Sequence, residues 1–519
     1  MGKRTVERKN AIKSSIGRIV IYALAVILQW ALIVFLVTYF GNRYPIIASV
    51  VRGAAMIFAL YVNSRDNVST MKIVWIIVLL IFPIFGLILY FTFRFNRSKR
   101  LMQKKLATVD EDIFPLLDKT DHVNGQELEL PTIDRSNLRY INETARFPTY
   151  KDTKLKYFGN QNDCYDSMLE DIAKAKEYIY MEYHAIEDKE SFDRLHKILI
   201  DRAKAGVDVR ILYDDIGSYV FISRAFIDML KTEGIKCNVF NTAIPLFTAF
   251  VNNRDHRKIT VVDGKVAYTG GFNIADEYFN ITSPYGRWKD NGIRMEGKAV
   301  MSMEAQFIEM WNFADLRYKR DGKMEFTPRK IGFEPCNSIV TPYADSPIDE
   351  EPLGENVYIN IINRSTDYCW FMTPYLVLSD EMRRALINAH KRGVDVRIVT
   401  PGIPDKRTIY SLTRSYYYPL CEEGIRIYEY TPGFLHSKLC LSDDHSAVVG
   451  TINLDFRSFY HHFENAVYIL NDYECFADIK NDFDETFEQS KEVTEQHAAE
   501  PGLVKSVAKS ILRLIAPIA

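Results

Sequence analysis

Two stretches of this chain carry the same spaced set of reactive residues. His256 is followed by Lys258, Asp263, Gly270 and Asn273, and His436 by Lys438, Asp443, Gly450 and Asn453. In both, Lys stands at +2 from His, Asp at +7, Gly at +14 and Asn at +17. With each match counted as one residue type in about twenty, the set falls by chance at a given His about once in 10⁵. A second copy in a matching place is not coincidence. Residues two apart on a strand share a face, so each His and Lys point the same way. Imidazole can attack, donate or accept a proton near neutral pH. The lysine is a cation with three donors, suited to a phosphate oxygen. Asn adds amide donors, and a glycine-rich turn lets the backbone approach an anion. The chemistry this set can do is phosphate chemistry.

The aspartates read differently. Asp263-Gly264 and Asp443-Asp444 are turn pairs between strand-like runs, which favours a structural role over a chemical one. A second carboxylate pair, Asp290 in Lys289-Asp-Asn and Glu464 in Phe463-Glu-Asn, precedes an alternating run in each copy. A histidine that handles protons needs its tautomer held, and a buried carboxylate does this. An ordinary strand-end acid fits these two equally well. His461-His462 has no metal-ligand spacing, so no metal and no cofactor are expected.

The elements around these residues repeat too. Ala205-Gly-Val-Asp-Val-Arg-Ile is answered by Arg392-Gly-Val-Asp-Val-Arg-Ile, Glu233-Gly-Ile by Glu423-Gly-Ile, and Tyr178-Ile-Tyr-Met by Tyr368-Cys-Trp-Phe-Met. The copies lie about 190 residues apart in the same order, the mark of a duplicated unit. Strand-like 178–181, helix-spaced 191–205 and alternating 207–213 predict an α/β lobe with a parallel sheet and crossover helices. The expected lobes span 106–332 and 356–490, joined by a Pro-, Ser- and acid-rich connector at 333–355.

At 519 residues, 25% charged and 47% hydrophobic, the chain is of ordinary globular composition, long enough for two or three domains. Its formal charge of −2 argues against a nucleic-acid partner. Seven scattered cysteines with no CxxC pair fit reduced thiols. The N-terminal 105 residues are different. Residues 19–40 and 73–93 hold no charge, and each is long enough to cross a bilayer core of about 20 helical residues. Between them 44–62 is apolar but split by Arg52, costly in lipid. Basic flanks at 1–18 and 94–105 belong on the cytoplasmic side, which requires an even number of spans. Two are expected, at 19–40 and 73–93, with 44–62 re-entrant or interfacial; three spans are the alternative. In the tail, 491–519, Lys505, Lys509 and Arg513 fall on one face of an apolar helical stretch suited to anionic lipid.

The duplicated His-x-Lys-x₄-Asp pattern resembles the phospholipase D superfamily. Gly270-Gly-Phe-Asn-Ile-Ala-Asp-Glu-Tyr, Gly450-Thr-Ile-Asn-Leu-Asp-Phe-Arg-Ser-Phe, Tyr157-Phe-Gly-Asn and the N-terminal membrane region are similar to its bacterial cardiolipin synthase branch. The resemblance implies two α/β/α lobes preceded by membrane helices, with one active site at a pseudo-twofold interface. It also implies metal-independent phosphodiester exchange through a phosphohistidine at a multi-pass cell-membrane protein. The catalytic set would be His256, Lys258, Asp263, His436, Lys438 and Asp443, with His256 as nucleophile. Asn273, Asn453 and Thr451 would hold phosphate, and Asp290 and Glu464 would orient the histidines. The substrates would be phosphatidylglycerol and other anionic phospholipids, and the product cardiolipin. Hydrolysis by the same machinery is the alternative. Many superfamily members have a hydroxyl residue where Gly271 stands, so the two lobes are expected to work unequally.

Overall fold

The computed structural model describes residues 43–65, 69–94, 97–218, 222–241, 253–315, 323–329, 332–349 and 351–516, with isolated positions between 27 and 39. They form two compact units. One holds the described residues up to Lys104 and from Leu503, and the other runs from Lys105 to Gly502.

In the first unit the expected span 19–40 lies almost wholly outside the described residues. Three helices follow: α1 (Pro45–Asn63), α2 (Ser69–Ile81) and α3 (Pro83–Arg94). Among the described residues α1 alone is long and apolar enough to cross a membrane. The segment split by Arg52 is one unbroken helix, and 73–93 breaks between Ile81 and Pro83. Proline has no N–H for the ladder, and its ring clashes with the carbonyl four residues back. Leu79, Ala59, Val62 and Tyr90 form the small core of these helices. The helix Leu503–Ile515 packs against α2 and exposes Leu503, Val504, Val507 and Ile511.

The second unit contains the duplication. Its first sheet comprises β1 (Thr153–Phe158), β2 (Tyr178–Tyr183), β3 (Asp208–Asp214), β4 (Lys236–Phe240), β5 (Lys258–Val262), β6 (Val266–Gly270) and β7 (Gly292–Gly297). The order across it is β1-β7-β6-β5-β2-β3-β4. The second sheet repeats that order with β8 (Ile339–Asp345), β9 (Tyr368–Met372), β10 (Asp395–Pro401), β11 (Arg426–Tyr430), β12 (Leu439–Ser442), β13 (Ser446–Gly450) and β14 (His462–Leu470), plus Ser490–Glu492 at its far edge. Among the strands just named, β2-β3-β4 and β9-β10-β11 are parallel. The half carrying the repeated motif is antiparallel; tight turns join β5 to β6 and β12 to β13, as antiparallel neighbours permit, and longer segments, 271–291 and 451–461, lead into β7 and β14. The stretch expected as a connector contains β8, which accommodates Pro342 at a sheet edge.

The lobes are layered as their sequences require. In β2, Ile179 and Met181 join Cys164, Met168 and Phe192 of the helices Gln161–Ala173 and Glu190–Lys204 in one core. Tyr180 points the other way and stacks on Phe307 of the helix Val300–Ala314 at 4.9 Å. In lobe two Phe371 meets Tyr358 of the helix Leu353–Arg364, while Trp370 meets Phe483 and Phe487 of Tyr473–Glu488. The repeated Gly206 and Gly393 end the crossover helices at φ +90° and +98°, a conformation that excludes most side chains.

Candidate active site

His256 leads into β5, whose first residue is Lys258, and His436 and Lys438 immediately precede β12. The alternation holds: Arg257 turns away from the site and pairs with Glu309 at 2.8 Å. Each motif strand begins against the other lobe. The His256 N–H donates to the Phe463 carbonyl at 2.8 Å, and the His436 N–H to the Lys289 carbonyl at 2.7 Å. The side chains cross over as well. His256 Nδ1 lies 3.0 and 2.9 Å from the two oxygens of Glu464, and His436 Nδ1 lies 2.7 Å from Asp290 Oδ2. With Nδ1–H donating to a carboxylate, each ring keeps its Nε2 lone pair for chemistry. Asn465 ties the lobes further, accepting from the Lys258 N–H at 3.2 Å and donating to Thr269 at 2.9 Å.

Both lysines are buried, and each donates to the carbonyl of its own histidine. Burial pulls Lys258 down to about 8, against the raising influence of Glu464 and Asp255. It pulls Lys438 down to about 7, against Asp290. Burial, then Lys438, lowers His436 to about 4, and burial with Lys258 and His462 holds His256 well below its ordinary value. Burial raises Asp290, but His436, Lys438 and the Asn291 N–H together bring it below the usual carboxylate range. The site thus holds two neutral imidazoles with two cations poised to meet an anion.

The other expected residues divide. Asn273 and Asn453 are buried in the turns after β6 and β13. The Asn273 carbonyl accepts from the Ala185 N–H at 3.1 Å, and its amide donates to Tyr278 at 2.8 Å. Thr451 is at the site but is already engaged: its hydroxyl donates to Glu464 at 2.5 Å and accepts from the Asn465 N–H at 2.9 Å. It holds the carboxylate that holds His256, so its hydroxyl is committed away from a phosphate. The matching position in lobe one must be glycine, since a Cβ on Gly271 would lie 1.9 Å from Asp290 Oδ1.

Asp263 and Asp443 hold backbone at the far ends of their motif strands. Each follows the far end of its motif strand in a left-handed turn, at φ 53° and 55°, which short polar residues tolerate. Asp263 accepts the N–H groups of Lys176, Glu177 and Tyr178 at 2.8–2.9 Å. Asp443 accepts those of Thr366, Asp367 and Tyr368 at 2.8–3.1 Å. Each staples the start of the neighbouring central strand.

Two imidazoles beside His256 are absent from the motif. The rings of His184 and His462 lie 5.1 and 5.3 Å from it. Both ring nitrogens of His462 are buried without a hydrogen-bond partner among the described residues, and Nδ1 is 3.5 Å from Glu464. His256, His462 and Glu464 bring three possible metal-ligand atoms within 4.8 Å of one another. Spacing along the chain suggests no such set, because folding draws it from both lobes. At His436 the neighbours are aromatic: Trp288, Tyr278 and Phe434 at 5.2, 5.3 and 5.9 Å. Trp288 and His462 stand two residues before Asp290 and Glu464, so an alternating-strand reading of that carboxylate pair could have found both.

Comparison with known proteins agrees with this geometry. The family described as "Cardiolipin synthase, PLD-like domain" matches residues 168–311 and 358–490, and a phospholipase D-nuclease N-terminal family matches 54–94. An uncharacterized protein of Streptococcus mutans is 38% identical over 460 residues, 88% of this chain and 98% of its own. Cardiolipin synthase 2 of Bacillus cereus is 32% identical over 467 residues, 88% of each chain. The phosphatidylserine synthase of Haemophilus influenzae shares the fold, with a TM-score of 0.58 at 14% identity over 74% of this chain and 100% of that one.

Proposed function

The chain belongs to the phospholipase D-like cardiolipin synthase family, and from that premise we propose how its two lobes perform phosphatidyl transfer. The protein is a membrane phosphatidyltransferase, a cardiolipin synthase acting on phospholipids. The observation that carries the mechanism is the crossed pairing of His256 with Glu464 and His436 with Asp290, which leaves two oriented Nε2 atoms in one site.

In the first half-reaction Nε2 of His256 attacks the phosphorus of phosphatidylglycerol, and the bond from phosphorus to the glycerol headgroup oxygen breaks. His436 gives its Nε2 proton to that oxygen, so glycerol leaves neutral. Its pKa of about 4 means that this proton is held only when the phosphodiester charge is close. Lys258 and Lys438 hold the phosphate oxygens, with Asn273 and Asn453 beside them, and Glu464 stabilises the charged phosphorylated ring. In the second half-reaction His436 takes the proton of a headgroup hydroxyl on a second phosphatidylglycerol. That oxygen attacks phosphorus, the N–P bond breaks, and cardiolipin leaves. Splitting one displacement into two lowers each barrier. A membrane location suits a reaction whose donor, acceptor and product all stay in lipid. The catalytic unit on the cytoplasmic side, behind the basic run 94–105, is part of the same reading.

The test is purified protein given phosphatidylglycerol alone. Cardiolipin and glycerol in equal amounts are expected. Phosphatidic acid as the sole lipid product would replace transfer by hydrolysis.

A further inference from the structure

The helices α2 and α3 are the arms of a tight hairpin. Residues equidistant from the break meet across it. Trp75 and Tyr90 stand edge to face at 5.5 Å. A Cβ on Gly86 would come within 2.8 Å of the Leu79 Cα, although seven residues of straight helix would separate the two by about 10 Å. The chain doubles back at Phe82-Pro83, and Gly86 allows the close approach.

Length then decides what such a hairpin can do in a bilayer. Arms of 13 and 12 residues are about 20 Å long, short of the ~30 Å hydrocarbon core. The tip is apolar and uncovered, with Leu80, Ile81 and Phe82 49%, 62% and 43% exposed. Part of its backbone is paired at the break. The Phe82 N–H donates to the Val78 carbonyl, the Phe82 carbonyl accepts from Gly86, and Pro83 has no N–H to leave unpaired in lipid. The open end is the opposite in character. Lys72 lies near the start of α2, and the six basic residues of 94–105, with no acid among them, begin at the end of α3. Arms too short to cross, an apolar tip and a cationic base fit one occupant, the hydrocarbon of an anionic leaflet.

We propose that residues 69–94 are a re-entrant hairpin that enters the bilayer from the face carrying the basic run and returns to that same face. In this arrangement α1 is a true crossing. Arg52, about 12 Å along α1 from Tyr44, is exposed, and a helical side chain leans toward the helix start, which brings its guanidinium nearer the Tyr44 end.

The full-length protein in sealed vesicles tests this. Single cysteines replacing Ser64 and Leu101 are labelled with an impermeant maleimide from one face at a time, against the parental chain as background. Both are expected to react from the same face, with loss of labelling at both when the reagent is on the other. Phe82→Trp, or Leu80→Trp if the first fails to fold, is expected to add fluorescence that mid-chain nitroxide lipids quench. Labelling of Ser64→Cys and Leu101→Cys from opposite faces would make 69–94 a crossing and overturn the proposal. Failure of the nitroxide lipids to quench the tip tryptophan would overturn it independently. Neither readout depends on catalysis.

Discussion

Glu464 in the second lobe grips His256 in the first, with both carboxylate oxygens within 3.0 Å of the ring Nδ1 across 208 residues of sequence. Asp290 in the first lobe does the same for His436 in the second, across 146 residues. Each motif histidine is thus held by a carboxylate of the opposite lobe. The active centre exists only where the lobes meet.

Glu464→Gln and Asp290→Asn should therefore each disable the histidine of the opposite lobe. An amide can present its N–H to Nδ1 and reverse the tautomer, so turnover is expected to fall by about 10²–10⁴-fold with near-normal folding. Single-turnover labelling with radioactive phosphatidylglycerol separates the two: Glu464→Gln should form little phosphohistidine. Full activity in either variant would refute the crossed pairing as functional.

Asp263→Ala and Asp443→Ala should cost stability rather than chemistry. Each strands three backbone N–H groups that a carboxylate now satisfies, a loss of about 1–3 kcal/mol or more. Denaturant midpoints are expected to fall while activity per folded molecule stays near the parental value. A large loss of turnover without a shift in midpoint would return these aspartates to the catalytic set.

Gly271 and Thr451 occupy matching places but should not be interchangeable. Gly271→Thr drives a Cβ into Asp290 and is expected to release His436 and nearly abolish turnover. Thr451→Val keeps the shape and removes the hydroxyl that holds Glu464, so a milder loss, about 10-fold, is expected. Normal activity in Gly271→Thr would mean that Asp290 does not need its observed position.

The dependence of kcat/KM on pH follows from the buried charges. His256 must be neutral to attack phosphorus, and burial with Lys258 and His462 keeps it so down to well below its ordinary value, while the proton that His436 delivers is taken up with the phosphodiester. Lys438 and Lys258 must be charged to receive the phosphate, which holds below about 7 and about 8. The profile should thus rise from the acid side and fall as pH passes about 7–8, the limbs belonging to the coupled cluster as a whole. A bound anion favours charged lysines, so the alkaline limb of kcat should lie above that of kcat/KM. A flat kcat/KM between about pH 6 and 9 would contradict this reading.

Turnover is expected to persist in chelator, since two lysines already supply the positive charge that a metal would bring. Loss of activity restored by one divalent ion would place that ion on His256, His462 and Glu464, the trio whose ligand atoms lie within 4.8 Å.

The sequence by itself determined the parts and their chemistry. The repeated +2, +7, +14 and +17 spacing names both histidines and both lysines, because strand periodicity puts alternate residues on one face whatever surrounds them. The turn setting of Asp263 and Asp443 is equally local, since left-handed backbone at a two-residue turn selects for it. Tertiary structure decided the rest. Which carboxylate serves which histidine depends on contacts between lobes, and no local rule encodes a partner 208 or 146 residues away. His462 looked idle for the same reason: its neighbour His256 comes from the other lobe. In the N-terminal unit, apolar length alone cannot distinguish one crossing from two short arms. The answer lies in where Pro83 breaks the helix and how closely Gly86 lets the arms approach.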